Sequence, residues 1–447
     1  MNRRSDAIER RRMEAERGKR KLTTAMVVFV ILVSLGFPGK YTELFGGGIS
    51  SLAEYGSFLI QILMMALADG DGILDGKILD LKSKYGGVYL MAGVFFLDSM
   101  LVTRYPKEQL ISCVRYTTTI LFALWMTDHY EPEQILHRIC FAQMIFVIFV
   151  LAFIVLKPNS AFVHEVGDHD FVGILETKNN AGAELSLGIL LELVWMRMRL
   201  HEKKEIPRWS LLILMIQMGL IVLCNATGAI FCSLLPGFYL FVMEKRLGAE
   251  RRISLGVFYI VASVGFLITA LTILPMFAPF FYAIGKDPTI TGRVPLWRQA
   301  VHVMSTSHTF TGYGFGMFWR DRSAVARMHT AFRRNSFMGT MTTGCHNVLL
   351  EFWLNVGLFG VASYFVALLW SMSGARRMTE QQYAFSASFL LWFLIMGLTE
   401  RSMSTYEYQT LFLFLTMGVG CNKQAPERNR RNYRRQIGQN AESIDTE

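Results

Sequence analysis

From Leu22 almost to the C-terminus, the chain alternates apolar runs with short stretches that hold most of its charge. The runs are roughly 17–25 residues long, the length that crosses a bilayer as a helix. In lipid every backbone polar group must be satisfied within the segment, which runs of this length achieve as helices. Only 18% of the residues are charged, against about 25% in a soluble domain. The pattern predicts an all-α, polytopic membrane bundle of about twelve transmembrane helices. Residues 1–21 read as a basic tail, 22–277 as helices one to nine and 278–345 as a long loop. Residues 346–420 read as helices ten to twelve and 421–447 as a second basic tail.

The loops set the expected orientation. One side carries Lys77, Lys82, Lys84, Arg138, Lys203, Lys204, Arg208, Lys245, Arg246, Arg251, Arg252, Arg376 and Arg377. The short loops of the other side carry Lys40, Arg104, Lys107, Lys157, Lys178 and Arg401. Basic residues favour the cytoplasmic side, so both termini are expected there. The net charge of +10 lies largely in the two tails, which suits contact with anionic membrane lipids rather than nucleic acid. The first apolar run lacks a small-residue cleavage site after it and reads as a span, not a signal peptide. Six cysteines without C-x-x-C spacing read as small buried hydrophobes, not as disulfides or a metal site.

The long loop is expected on the outer side and is expected to be functional. It holds Arg293, Arg298, Arg320, Arg322, Arg327, Arg333 and Arg334 against Asp287 and Asp321. Its opening, "TGRVPLWRQAVHVM", spaces Trp297, Ala300, Val301 and Met304 for an amphipathic helix lying on the membrane surface. Arg293 falls at the start of that helix. "TGYGFGMFW" follows, where Gly312, Gly314 and Gly316 permit tight turns and close backbone approach. The glycine spacing is not that of a dinucleotide-binding loop.

"GCHNVLLEFWLNVGLFG" then starts the tenth span with a histidine and puts polar residues inside it. Asn347, Glu351 and Asn355 fall at i, i+4 and i+8, one stripe about 12 Å long on one helix face. Polar groups at that depth face a bundle interior or a watered cavity. His346 is expected at the cavity mouth, where a neutral imidazole suits a general base; helix capping by Asn347 is the plainer reading.

Other segments carry weaker signals. "VHEVGDHD" gathers His164, Glu165, Asp168, His169 and Asp170 but misses H-E-x-x-H, and "DGDGILDG" fails as a calcium loop. Cys345 is a poor nucleophile for His346, because adjacent helical residues point apart. Lys178, Asn179 and Asn180 stand at the entry to the sixth span. A lysine there opposes the helix dipole and needs a partner anion or solvent. Glu400 and Arg401 read as a surface ion pair. Cations gathered on one membrane face, with a histidine among them, suit a diphosphate head group and attack by a hydroxyl.

Four pieces in order carry a resemblance: "FVGILETKNNAG", "LTILPMFAPF…TITGRVPLWRQA", "TGYGFGMFW" and "HNVLLEFWLNVGLFG". They resemble the O-antigen ligase and polymerase superfamily, most closely the bacterial exopolysaccharide polymerases. The resemblance implies an inner-membrane glycosyltransferase acting at the outer face on an undecaprenyl-diphosphate-linked oligosaccharide, without metal, nucleotide sugar or other cofactor. His346 matches the family's histidine, expected to activate the acceptor hydroxyl, and Arg293 its loop arginine, expected to hold the diphosphate. Lys178 and Asn179 match its outer Lys-Asn element. Arg298, Asn347, Glu351 and Arg401 are further expected substrate-binding residues, with Trp297, Gly312, Gly314 and Gly316 shaping the loop. A chain-length regulator is an expected partner. "CNATGAIF", at 224–231, departs from the Ser/Arg-rich segment of many members. The rival readings are a ligase that moves the glycan onto lipid A core or protein, and a lipid-linked glycan flippase without chemistry.

Overall fold

The computed structural model describes residues 22–35, 47–68, 84–165, 168–175, 177–243, 255–283, 289–290, 292–330, 344–400 and 408–422. The described apolar runs are helical. The first half supplies α1 (Leu22–Ser34), α2 (Gly47–Ala68), α3 (Gly86–Val102), α4 (Pro106–His129) and α5 (Pro132–Leu156). Next come α6 (Lys178–His201), α7 (Arg208–Leu223), α8 (Thr227–Phe238) and α9 (Leu255–Thr272). The long loop contributes α10 (Arg293–Thr306) and α11 (Arg322–His329), and the chain closes with α12 (Val348–Met372), α13 (Glu380–Thr399) and α14 (Tyr408–Cys421). Among the described residues, α4, α5, α9, α12 and α13 are each long and apolar enough to cross a membrane. The protein is an all-α polytopic membrane protein.

The chain marks its own helix boundaries. Proline opens α4 and α5, where a missing N–H costs nothing. Glu131 with Gln134, and Thr379 with Gln382, form capping boxes at α5 and α13. All six cysteines are free and buried.

Two features depart from the sequence reading. Phe162–Glu165 and Asp168–Phe171 pair as an antiparallel hairpin, with Phe162 opposite Phe171. Helix α10 does not spend its apolar face on lipid. Leu296, Trp297, Ala300, Val303 and Met304 are buried in a second core with Ala270 of α9 and Leu350 and Leu354 of α12.

Helices α6 and α13 run antiparallel. Trp392 Nε1 donates to Ser186 Oγ at 2.9 Å, eight residues from Glu400 and from Lys178 respectively, while Arg197 pairs with Glu380 at the opposite ends. The start of α6 and the end of α13 therefore lie at one end of the bundle, which His346 shares through its contact with Glu400.

Helix α12 is broken inside. Val356 (φ −128°, ψ 15°) and Gly357 (φ 64°, ψ −171°) leave the helical region, which frees carbonyls before the break and amides after it. The glycine loop supplies their partners. Tyr313 N and Gly314 N donate to Asn355 O at 3.2 and 2.8 Å; Leu358 N donates to Thr309 O and Phe359 N to Phe310 O, at 3.0 and 3.2 Å. The loop thus splices into the span, as buried non-helical backbone in a membrane requires.

Candidate active site

His346 sits in a short non-helical entry to α12, with a left-handed backbone (φ 51°). Both neighbours are pinned. Trp297 Nε1 donates to Cys345 O at 2.7 Å. Asn347 Oδ1 accepts from Leu349 N and Leu350 N at 3.1 and 3.2 Å and so caps the helix, while its Nδ2 donates to Leu398 O at 3.1 Å. That last bond ties the histidine entry to the end of α13.

The end of α13 presents Glu400. His346 Nδ1 lies 3.0 Å from Glu400 Oε2, and Arg293 Nη2 donates to Glu400 Oε1 at 2.7 Å. One carboxylate therefore joins the histidine to the first residue of α10. Arg293 reaches it because Gly292, with φ 79°, turns the chain into that helix. Glu400 and Arg293 are about one-fifth exposed and His346 about one-third, so the ring opens outward while its partners lie deeper. With its proton on Nδ1, facing the carboxylate, the imidazole leaves the Nε2 lone pair free to accept a proton.

The polar stripe makes structural contacts. Asn347 is the helix cap. Glu351 accepts from Trp319 Nε1 at 2.9 and 3.2 Å, and Asn355 Oδ1 accepts from Gly316 N at 3.0 Å. Glu351 and Asn355 therefore dock the glycine loop. Across the loop, Phe315 N donates to Ser99 Oγ and Gln109 Nε2 to Phe315 O. Gly312 and Gly314 are required here: a Cβ would lie 2.5 Å from Asn355 O at one and 2.3 Å from Gln109 Oε1 at the other.

The remaining expected residues divide. Lys178 meets a partner anion, Asp170 Oδ2, at 2.6 Å, and Asn179 is half-buried beside it. Arg298 is exposed and donates to Leu271 O at 3.1 Å. Arg104 pairs with Asp321 at 3.5 Å, and Arg327 donates to Ser307 Oγ and Tyr313 Oη. Arg401, Arg333, Arg334, residues 69–76 and the side chains of His164, Glu165, Asp168 and His169 lie outside the described residues. The expected surface pair of Glu400 with Arg401 lies outside the described residues; among those described, Glu400 bridges His346 and Arg293. Sequence reasoning missed Glu400, Trp319 and Asp170 as partners; Glu400 carried one usable signal, a carboxylate on the same membrane face as the histidine.

A broken-helix membrane bundle with a cation–carboxylate–imidazole chain at one end is the class these features define. Residues 186–365 match the family model described as O-antigen ligase, a match that supports the O-antigen ligase and polymerase superfamily and glycan transfer in general. The match runs from within α6 into α12 and takes in Arg293, Trp319, His346 and Glu351, while Lys178, Asn179 and Glu400 lie outside it. No match was found among the curated proteins.

Proposed function

We propose that the protein polymerises polysaccharide repeat units, taking glycan from an undecaprenyl-diphosphate carrier at the outer face of the bacterial inner membrane. Both termini are then cytoplasmic, and the His346 end of the bundle faces outward. The long loop between α9 and α12 is the substrate-binding element.

The observation that carries this reading is the chain Arg293–Glu400–His346. Glu400 holds the ring with Nε2 outward, and Nε2 takes the proton from an acceptor sugar hydroxyl. The freed oxygen attacks the anomeric carbon, the bond from that carbon to the diphosphate oxygen breaks, and the lipid diphosphate leaves with the electron pair. The attack comes from the face opposite the leaving group, so the anomeric configuration inverts. Guanidinium has five N–H donors. One contact with Glu400 leaves Arg293 donors for the leaving phosphate, where charge grows in the transition state. Lys178 and Asn179 add to the cationic rim.

Purified protein supplied with lipid-linked oligosaccharide tests the mechanism. His346→Ala is expected to lower turnover by roughly 10²–10⁴-fold, the range of a general base, and Arg293→Ala by a comparable factor. Normal product from both variants rejects it. The family description favours one second reading, transfer to lipid A core or protein as a ligase. A deletion strain separates the two: loss of the chain-length ladder marks the polymerase, and long chains accumulating on the carrier lipid mark the ligase. A ladder whose length distribution changes with a second protein identifies a chain-length regulator.

A further inference from the structure

A second cluster of polar side chains lies inside the bundle, among α5, α6 and α7. Glu192 of α6, Gln143 of α5 and Gln217 of α7 are each at most 1% exposed. Glu192 Oε2 accepts from Ser210 Oγ, and the Cys140 thiol lies beside the carboxylate. Among the described residues, Oε1 has no further partner, and the amide oxygen and nitrogen of both glutamines have none.

The two amides meet one helical turn from the carboxylate. α5 and α7 run antiparallel to α6: the start of α5 meets the end of α6 through Glu133 and Arg199, and a short turn joins α6 to α7. Each Cβ leans toward its own helix N-terminus. Gln143 and Gln217 therefore lean away from the His346 end, and Glu192 leans toward it. The two amides approach one another beside Gly188, one turn from Glu192. A Cβ at Gly188 would lie 2.5 Å from Gln217 Nε2 and 2.9 Å from Gln143 Nε2. The glycine leaves the notch into which both amides point.

We propose that Glu192, Gln143 and Gln217 form an intramembrane site for a small monovalent cation of the Na⁺ type. One carboxylate in a low-dielectric interior is neutralised by one positive charge, and a divalent ion would leave a net charge there. Rotating the two amides offers two carbonyl oxygens beside the carboxylate, a hard oxygen set suited to such an ion. A proton on Glu192 would neutralise the charge but would not supply the two carbonyl oxygens with the shared partner that an ion gives them. The bound ion ties together three helices, one of which carries Lys178 at its far end. The site is independent of the glycan-transfer reading.

The test is thermal unfolding of the purified full-length protein in detergent at constant ionic strength, with NaCl or choline chloride. In the wild type, Na⁺ is expected to raise the midpoint by about 2 °C or more, as saturation of one native-state site does. Glu192→Gln is expected to lose that rise. Gly188→Ala is expected to fold, because its methyl displaces only two flexible amide ends, and to lose the rise as well. Equal midpoints in Na⁺ and choline for the wild type overturn the site. So does an undiminished Na⁺ rise in both variants. A midpoint that follows pH but not Na⁺ overturns it in favour of a proton.

Discussion

His346 and Glu400 meet across 54 residues of sequence, Nδ1 of the ring 3.0 Å from Oε2 of the carboxylate. The same carboxylate holds Arg293 through its other oxygen. Glu400→Gln keeps the size and an acceptor but removes the charge that orients ring and guanidinium together. Activity is expected to fall by roughly 10–10³-fold, part of the general-base contribution. Because both partners share one group, Glu400→Gln and Arg293→Ala are expected to be strongly non-additive. A double-mutant cycle on turnover checks this, and losses that simply multiply would separate the two contacts functionally.

The helices were legible in the sequence because each apolar run satisfies its own backbone and dictates its own solvent. The candidate site was legible only by halves. His346 and Arg293 stand out by residue type beside a span, but Glu400 acts through a contact that no local spacing encodes. The break at Val356 and Gly357 was hidden for the same reason. A single glycine in an apolar run reads as a tolerated helix residue; what stabilises the break is backbone from Thr309–Gly314, distant in sequence. The i, i+4, i+8 stripe signals inward-facing polar groups, but spacing alone does not reveal that the protein's own glycine loop meets Glu351 and Asn355.

The splice between loop and span predicts a graded glycine series. Gly357 has φ 64° and ψ −171°, and a Cβ would lie 2.1 Å from Phe310 O, a backbone atom that cannot swing away. Gly357→Ala is expected to destabilise the protein by at least about 3 kcal/mol through strain and lost pairing. Gly316 also has positive φ, yet a Cβ meets nothing within 4 Å. Gly316→Ala is expected to cost about 1–2 kcal/mol, the conformational penalty alone. Detergent-solubilised unfolding midpoints of the two variants should rank in that order.

Glu351 is expected to matter for architecture more than for proton transfer. Its side chain receives the Trp319 indole N–H, and Gln at that position still offers a carbonyl acceptor. Glu351→Gln is expected to keep activity within about threefold, whereas Glu351→Leu strands a partly buried N–H and lowers stability by about 1–3 kcal/mol. Comparing turnover per folded molecule separates this from a catalytic carboxylate, which Gln cannot replace.

Asp321 predicts an acid-sensitive loop. Burial pushes its pKa up, but bonds from the Ser323 side chain and the Ala324 and Ser323 amides, with Arg104 nearby, hold it below the usual value. A carboxyl depressed in the folded state adds stability above its unfolded pKa of about 3.9 and loses it as pH falls through the lower folded value. Asp321→Asn is expected to remove this pH dependence at a cost of about 1 kcal/mol near neutrality. Unfolding midpoints measured from pH 2.5 to 6 test it; an unchanged acid slope in the variant rejects the assignment.

Lys178 and Asp170 offer the sharpest separation of a structural from a substrate role. Their 2.6 Å pair is partly exposed, so its net worth to stability is at most about 1 kcal/mol. If the lysine serves only to pair with Asp170, Lys178→Ala and Asp170→Asn should have equal, small effects on both stability and turnover. The proposed role in holding an anionic carrier predicts asymmetry. Lys178→Ala should raise the KM for the lipid-linked donor by roughly tenfold, the effect of about 1.4 kcal/mol. Asp170→Asn releases the lysine from its competitor and should leave that KM unchanged or lower it. Steady-state kinetics with the donor varied at saturating acceptor distinguishes the two patterns, and matching KM values for both variants would return Lys178 to a structural role.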